Sequence, residues 1–138
     1  MQKRKISNGI SSRLSAGINF FWGINLESEL KLKAFINKEL SNIIDSHKEG
    51  LPSGFNYSRK IYRSFSIDPT KYRPSSEALW RRIKKGLDFP TVNPFVDLTN
   101  LLSLKYQICY GLYDLDKIKG NIEIAKGDDG DCYQGIRK

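Results

Sequence analysis

Residues 93–104 read Asn93-Pro94-Phe95-Val96-Asp97-Leu98-Thr99-Asn100-Leu101-Leu102-Ser103-Leu104, and this stretch decides the fold. Asn93 carries the side-chain acceptor of a helix cap. Pro94 suits the first turn, because a proline lacks the N–H that would go unpaired there. Phe95, Val96, Leu98, Leu101, Leu102 and Leu104 leave this helix apolar on most sides, which places it at the centre of a core. Upstream, Ser75 is expected to cap another helix, with Glu77 in its first turn, where the helix dipole favours an acid. Ala78, Leu79 and Ile83 form its apolar side, Arg81, Arg82, Lys84 and Lys85 project elsewhere, and Gly86 closes it.

From Glu27 to about His47, Leu30, Ala34, Ile36, Leu40, Ile43 and Ile44 recur at three- and four-residue steps, which predicts a helix. Gly50-Leu51-Pro52-Ser53-Gly54 breaks it. Before it, Ile18–Ile24 has the aromatic and branched content of a buried strand. Residues 55–74 read as a basic, aromatic loop with a short helix near Ile61. Towards the other end, Ile122-Glu123-Ile124 alternates like a strand, Gly127–Gly130 is a turn, and a last strand is expected at Cys132–Ile136. A strand, then helices, then strands read as α+β. Residues 1–16 are expected to be a mobile basic segment ahead of a single domain over 17–138.

The chain has 138 residues, 39% hydrophobic and 12% aromatic, enough for one real core and too apolar for a disordered tail. No stretch approaches the ~18 consecutive apolar residues of a spanning helix. The formal charge of +8 is unevenly placed. Between Arg59 and Lys85 lie Arg59, Lys60, Arg63, Lys71, Arg73, Arg81, Arg82, Lys84 and Lys85, opposed only by Asp68 and Glu77. Tyr57, Tyr62, Phe65, Tyr72 and Trp80 are interleaved with them. Cations contact phosphates and aromatic faces stack on unpaired bases, so the mixture suits RNA or single-stranded nucleic acid. A solvated basic face with its aromatics turned into the core explains the composition equally well.

Cys109 and Cys132 belong to no Cys-x-x-Cys pair, and with one His no zinc cluster is implied. Two free thiols in a reducing cytoplasm are the economical reading, and no metal or cofactor is expected. Residues 127–131 lack the terminal acid of an EF-hand and read as a turn. The first 26 residues hold no acid. Their composition fits an organellar transit peptide, a basic RNA-contacting arm or a plain disordered start. Cytoplasm is the favoured location.

Four phrases occur in order: Lys71–Leu79, Phe89–Asn100, Leu104–Tyr106 and Tyr113–Ile118. Together they resemble the tRNA-binding and editing domain (third and fourth modules) of the phenylalanyl-tRNA synthetase β subunit, and more closely the free-standing proteins built from that domain. The resemblance runs from about Tyr62 to Ile136. It implies a layered mixed sheet with helices that handles the acceptor end of tRNA and hydrolyses tRNA carrying the wrong amino acid. Thr99 and Asn100 match the editing-pocket polar pair of the family's motif. Gly111 stands where the family has a His. The family's domain continues past Lys138 with further strands and an acidic residue that contacts the substrate's amino group, so the domain is expected to be incomplete at this end.

Three readings follow. The first is a deacylase of misacylated tRNA acting in trans, with Thr99 and Asn100 positioning substrate and water. The second is a non-catalytic RNA-binding module contacting RNA through Arg59, Arg63, Arg73, Arg81, Arg82, Lys84 and Lys85. The third is a truncated remnant. Against the first, Asp97, Thr99 and Asn100 could simply satisfy internal hydrogen bonds on a buried helix.

Overall fold

The computed structural model describes residues 5–10, 16–18, 29–48 and 50–132. They fall into two compact units: residues 20–113, and residues 1–19 together with 114–138.

The larger unit is helical. It holds α1 (Glu29–Ser46), α2 (Phe55–Ser64), α3 (Ser75–Lys84) and α4 (Pro94–Tyr106). α4 packs against both α1 and α3, the central place its apolar composition predicts. Its start is as expected: the Asn93 side chain accepts from the N–H groups of Phe95 (3.1 Å) and Val96 (3.0 Å). The core joins Ile36, Leu40 and Ile43 of α1, Phe55 of α2, Trp80 and Ile83 of α3, and Leu101 and Leu104 of α4. Leu32, Leu51, Leu79, Phe89 and Leu98 pack around it.

Several expectations change. On α1, Leu30, Ala34 and Ile44 are exposed, and the buried stripe is narrower. Residues 55–64 are a ten-residue helix rather than a loop with a short helical piece. Its fully buried face is only Phe55 and Ser58, so half of the apolar signal is carried by a serine. Ser75 is not the cap of α3. Pro74, buried and extended (φ −52°, ψ 139°), holds that position, and no side chain caps the helix. Trp80 lies in the core at 2% exposure and cannot stack on a base, whereas Tyr57 and Tyr72 are exposed. Of these rings, only the exposed ones remain available to a partner.

In the smaller unit, β1 (Ile6–Asn8) pairs parallel with β2 (Ile122–Ile124), with Ile6 opposite Ile122. The ladder is extended by Gly9 N–H donating to the Ile124 carbonyl (2.9 Å) and Ile122 N–H donating to that of Lys5 (3.0 Å). The expected strand at 122–124 is present. Its partner is a segment to which the sequence pattern assigns no strand. A 3₁₀ turn over Leu115–Lys117 is capped by Asp114, which accepts from the Asp116 N–H at 3.0 Å. Asp128 and Asp131 close the expected turn, with Asp128 N–H donating to Asp131 Oδ2 at 2.8 Å.

The fold is α+β, and among the described residues its sheet has these two strands. The strands expected at Ile18–Ile24 and Cys132–Ile136 lie outside the described residues, except for Ile18 and Cys132.

Candidate nucleic-acid interface

Residues at i, i+3, i+4 and i+7 share one helix face. On α3 that series is Ser75, Ala78, Leu79 and Arg82, and it forms one wall of a cleft of about 350 Å³. Thr99, Asn100 and Ser103 of α4 line it as well, together with Tyr110. The cleft thus brings together Thr99, Asn100 and Arg82, which the sequence singles out separately. It also recruits Ser103 and Tyr110, which the sequence does not single out, and Ser75, which the sequence offers only as a helix cap. The signal that would have found them is the facing of two helices, and that is invisible to a linear pattern.

The α4 hydroxyls are anchored. Thr99 Oγ1 donates to the Phe95 carbonyl (2.7 Å), which leaves its oxygen lone pairs as acceptors. Ser103 Oγ donates to the Ile108 carbonyl (2.7 Å) and holds the chain as it leaves α4. The Asn100 amide has no hydrogen-bond partner among the described residues, so it presents both donor and acceptor. Arg82 Nε donates to the Asp88 carbonyl at 2.7 Å, which steadies the guanidinium. None of the described residues lining the cleft is acidic. Asp97, one turn away, is buried and accepts from the Val92 N–H at 2.8 Å, the internal role a buried carboxylate needs.

The other predicted RNA contacts separate into two groups. Arg59, Arg73 and Arg81 surround the fully buried Glu77. Arg59 donates from Nε and Nη2 and Arg81 from Nε, at 2.7–2.8 Å, while Arg73 Nε stands 3.8 Å away. The hydrogen bond from Arg59 leads in holding the Glu77 carboxyl below its ordinary range, against the opposing effect of burial. Lys84 is likewise engaged: its Nζ donates to the Lys48 carbonyl (2.6 Å) and lies 5.8 Å over the Trp80 ring. Arg63 and Lys85 are exposed. Lys60 and Lys71 are exposed as well, beside the rings of Tyr57 (5.8 Å) and Tyr72 (5.3 Å).

Gly111 does not line the cleft. A Cβ built there would fall 2.8 Å from the Tyr113 ring, so any side chain at this position requires that exposed tyrosine to swing away. Cys109 sits at the start of α3, its sulfur 3.4 Å from Ser76 Oγ and 4.0 Å from Ser58 Oγ. Burial pushes this thiol up, but hydrogen bonding with Ser75, Ser76 and Ser58 outweighs it and holds the pKa below the ordinary value. Cys109 and Cys132 are both free. Among the described residues no cluster of three or more His, Cys, Asp or Glu could hold a metal ion, and no helix is long and apolar enough to cross a membrane.

A family model described as the B3/4 domain matches residues 58–137, which include α3, α4 and the whole cleft. The chain belongs to the B3/4 domain family. This B3/4 domain is 31% identical over 108 residues to the phenylalanine–tRNA ligase beta subunit of Rickettsia conorii, an alignment covering 75% of this chain and 12% of that protein. It is 30% identical over 108 residues to the subunit of the same name from Rickettsia felis, with the same coverage. The chain therefore spans about an eighth of the length of these relatives. No solved structure matches it.

Proposed function

We propose that this B3/4 domain binds tRNA at its acceptor end and works in the cytoplasm, where that RNA is used. The observation that carries the reading is the meeting of Arg82, Thr99 and Asn100 in one cleft, inside the segment matched as a B3/4 domain. The relatives are tRNA ligase subunits, which supplies the class of RNA. Exposed Lys60, Arg63, Lys71 and Lys85 supply cations for phosphates, and exposed Tyr57 and Tyr72 supply rings for unpaired bases. Arg59, Arg73 and Arg81 serve chiefly to neutralise Glu77.

The test is the salt dependence of tRNA affinity. Changing Lys60, Arg63, Lys71 and Lys85 together to Gln should weaken binding and flatten the slope of log K against log salt, by roughly 0.7–0.9 for each lost phosphate contact. An unchanged slope in the folded variant removes these cations from the account.

A second reading is favoured by the position of Thr99 and Asn100 in the cleft. In it, the domain hydrolyses misacylated tRNA in trans. Water, held by the Asn100 amide and the lone pairs of Thr99 Oγ1, adds to the ester carbonyl, and the amino acid leaves the ribose hydroxyl. Positioning and polar stabilisation suffice for such a reaction in kind. Excess protein incubated with Tyr-tRNA(Phe) should then speed loss of the tyrosyl ester and spare Phe-tRNA(Phe). Rates equal to the uncatalysed ones leave the binding function alone.

A further inference from the structure

His47, the chain's single histidine, is half-buried just past the end of α1. Its Nδ1 lies 2.9 Å from Ser46 Oγ and 3.1 Å from the Ile43 carbonyl, and Ser46 Oγ donates to that same carbonyl at 2.9 Å. Its Nε2 meets the Nε2 of Gln107, at the end of α4, at 3.3 Å. The Gln107 Oε1 is already committed, because it accepts from the Gly54 N–H at 2.7 Å at the entry to α2. The group that Gln107 turns to the histidine is therefore its NH2, which can only donate. This fixes the tautomer. Nε2 is the acceptor, and the ring proton sits on Nδ1, turned to Ile43 and Ser46.

A second proton on the ring ends this arrangement. An imidazolium has two N–H donors and no acceptor, so Nε2–H would face the Gln107 NH2 donor to donor. The amide satisfies the new donor by turning its oxygen to it, and the Gly54 N–H then loses its acceptor. We propose that His47, Gln107 and Gly54 form a proton-operated clamp: the neutral ring holds the end of α4 to the start of α2, and the charged ring takes the Gln107 oxygen and releases Gly54. The ring's hydrogen-bond partners among the described residues are Ser46, Ile43 and Gln107, and none is a carboxylate that could receive the proton's charge instead. The acids of α1 are engaged elsewhere, Asp45 with Lys48 at 3.4 Å and Glu39 with Lys105 of α4 at 2.7 Å. From α3 the neighbours are a cation and a ring: Lys84 Nζ lies 3.4 Å from the His47 carbonyl, and Trp80 meets the imidazole at 75° with centroids 5.8 Å apart. Gln107 opens the segment that leads to Tyr110 in the cleft, so the clamp links pH to the seating of that segment.

The test follows the whole chain by NMR, labelled with ¹³C and ¹⁵N, from about pH 8 to pH 5, the span in which a histidine ordinarily changes charge. With a single histidine, the ring signals are assigned without ambiguity. The Gly54 amide and the Gln107 side-chain NH2 are expected to move with the same midpoint as the His47 ring. Protection of the Gly54 amide from solvent exchange, measured against the unstructured chain at the same pH, should fall about fivefold, the scale of one hydrogen bond. His47→Asn should abolish the step at Gly54, which also separates it from titration of the Cys109 thiol on the neighbouring segment. Gln107→Met should leave the ring's titration in place while Gly54 no longer follows it. Should either variant fail to fold, the comparison of midpoints in the parent still decides. A ring that titrates while Gly54 stays still overturns the clamp, as does a ring that keeps one charge throughout. A Gly54 step that persists in His47→Asn overturns it in favour of another titrating group.

Discussion

Arg59 grips Glu77 with both arms of its guanidinium: Nε donates to Oε2 and Nη2 to Oε1, each at 2.7 Å. The pair ties α2 to α3 through a carboxylate with no exposed surface. Removing Arg59 strands most of that buried charge, whereas Arg81 is 44% exposed and its loss leaves the bidentate partner in place. Arg59→Ala should lower the free energy of unfolding by about 3 kcal/mol, and Arg81→Ala by about 1 kcal/mol or less. Urea titrations check the ranking. Equal costs would show that the bidentate geometry is not what secures α2. It follows that reduced RNA binding by an Arg59 variant reports unfolding before it reports a lost phosphate contact.

The same carboxylate sets a pH dependence. The hydrogen bond from Arg59, followed by that from Arg81, holds the folded-state pKa of Glu77 below its ordinary value, although burial opposes the shift. A depressed folded pKa stabilises the protein above the unfolded value of about 4.3, and the contribution disappears as pH falls from there through the folded pKa. Stability should therefore decline from about pH 4 downward, more steeply in the parent than in Glu77→Gln. Glu39 and Asp68 are also shifted down, chiefly by hydrogen bonds from Lys105 and Thr70, but both sites are solvated and should add little. Identical acid slopes for the parent and Glu77→Gln would contradict the assignment.

Gly54 is fixed by Gln107, which meets it from the end of α4. The Gln107 side chain accepts from the Gly54 N–H at 2.7 Å, and a Cβ at residue 54 would collide with Gln107 Oε1 and lie 2.9 Å from its Cβ. The Gln107 amide nitrogen also meets His47 Nε2 at 3.3 Å, so the side chain loses both contacts if it retreats. Gly54→Ala should cost about 1–3 kcal/mol. In a Gln107→Gly background, where the obstructing side chain is gone, the cost should shrink to a few tenths. Thermal unfolding of the four proteins in this cycle measures the coupling.

Local chemistry made the helices legible, and distant pairing hid the rest. Asn93-Pro94 announces α4 because the cap and the proline act within one turn. Gly86, at φ 72°, marks the end of α3 in the same way. α2 was legible only as a short helix near Ile61, because Ser58 carries part of its buried face and tyrosines and cations fill the remainder. β1 escaped because three residues show no period and their partner lies 116 positions away. Glu77 reads in sequence as an acid placed for the helix dipole. Nothing linear reveals that arginines at 59, 73 and 81 converge on it. Thr99, Asn100 and Arg82 were each legible as candidates, and their shared cleft followed only from the packing of α3 on α4.

The central claim is that the domain grips the acceptor end of tRNA. The most direct measurement compares its affinity for intact tRNA with that for the same tRNA trimmed of its unpaired 3′ nucleotides, at one salt concentration. Both RNAs offer nearly the same number of phosphates to the exposed cations, so the difference isolates the end. The account predicts that trimming weakens binding about a hundredfold, the scale of one stacked base and one charge-assisted contact, and that Arg82→Gln removes about half of this difference on the logarithmic scale. Equal affinity for intact and trimmed tRNA would contradict it.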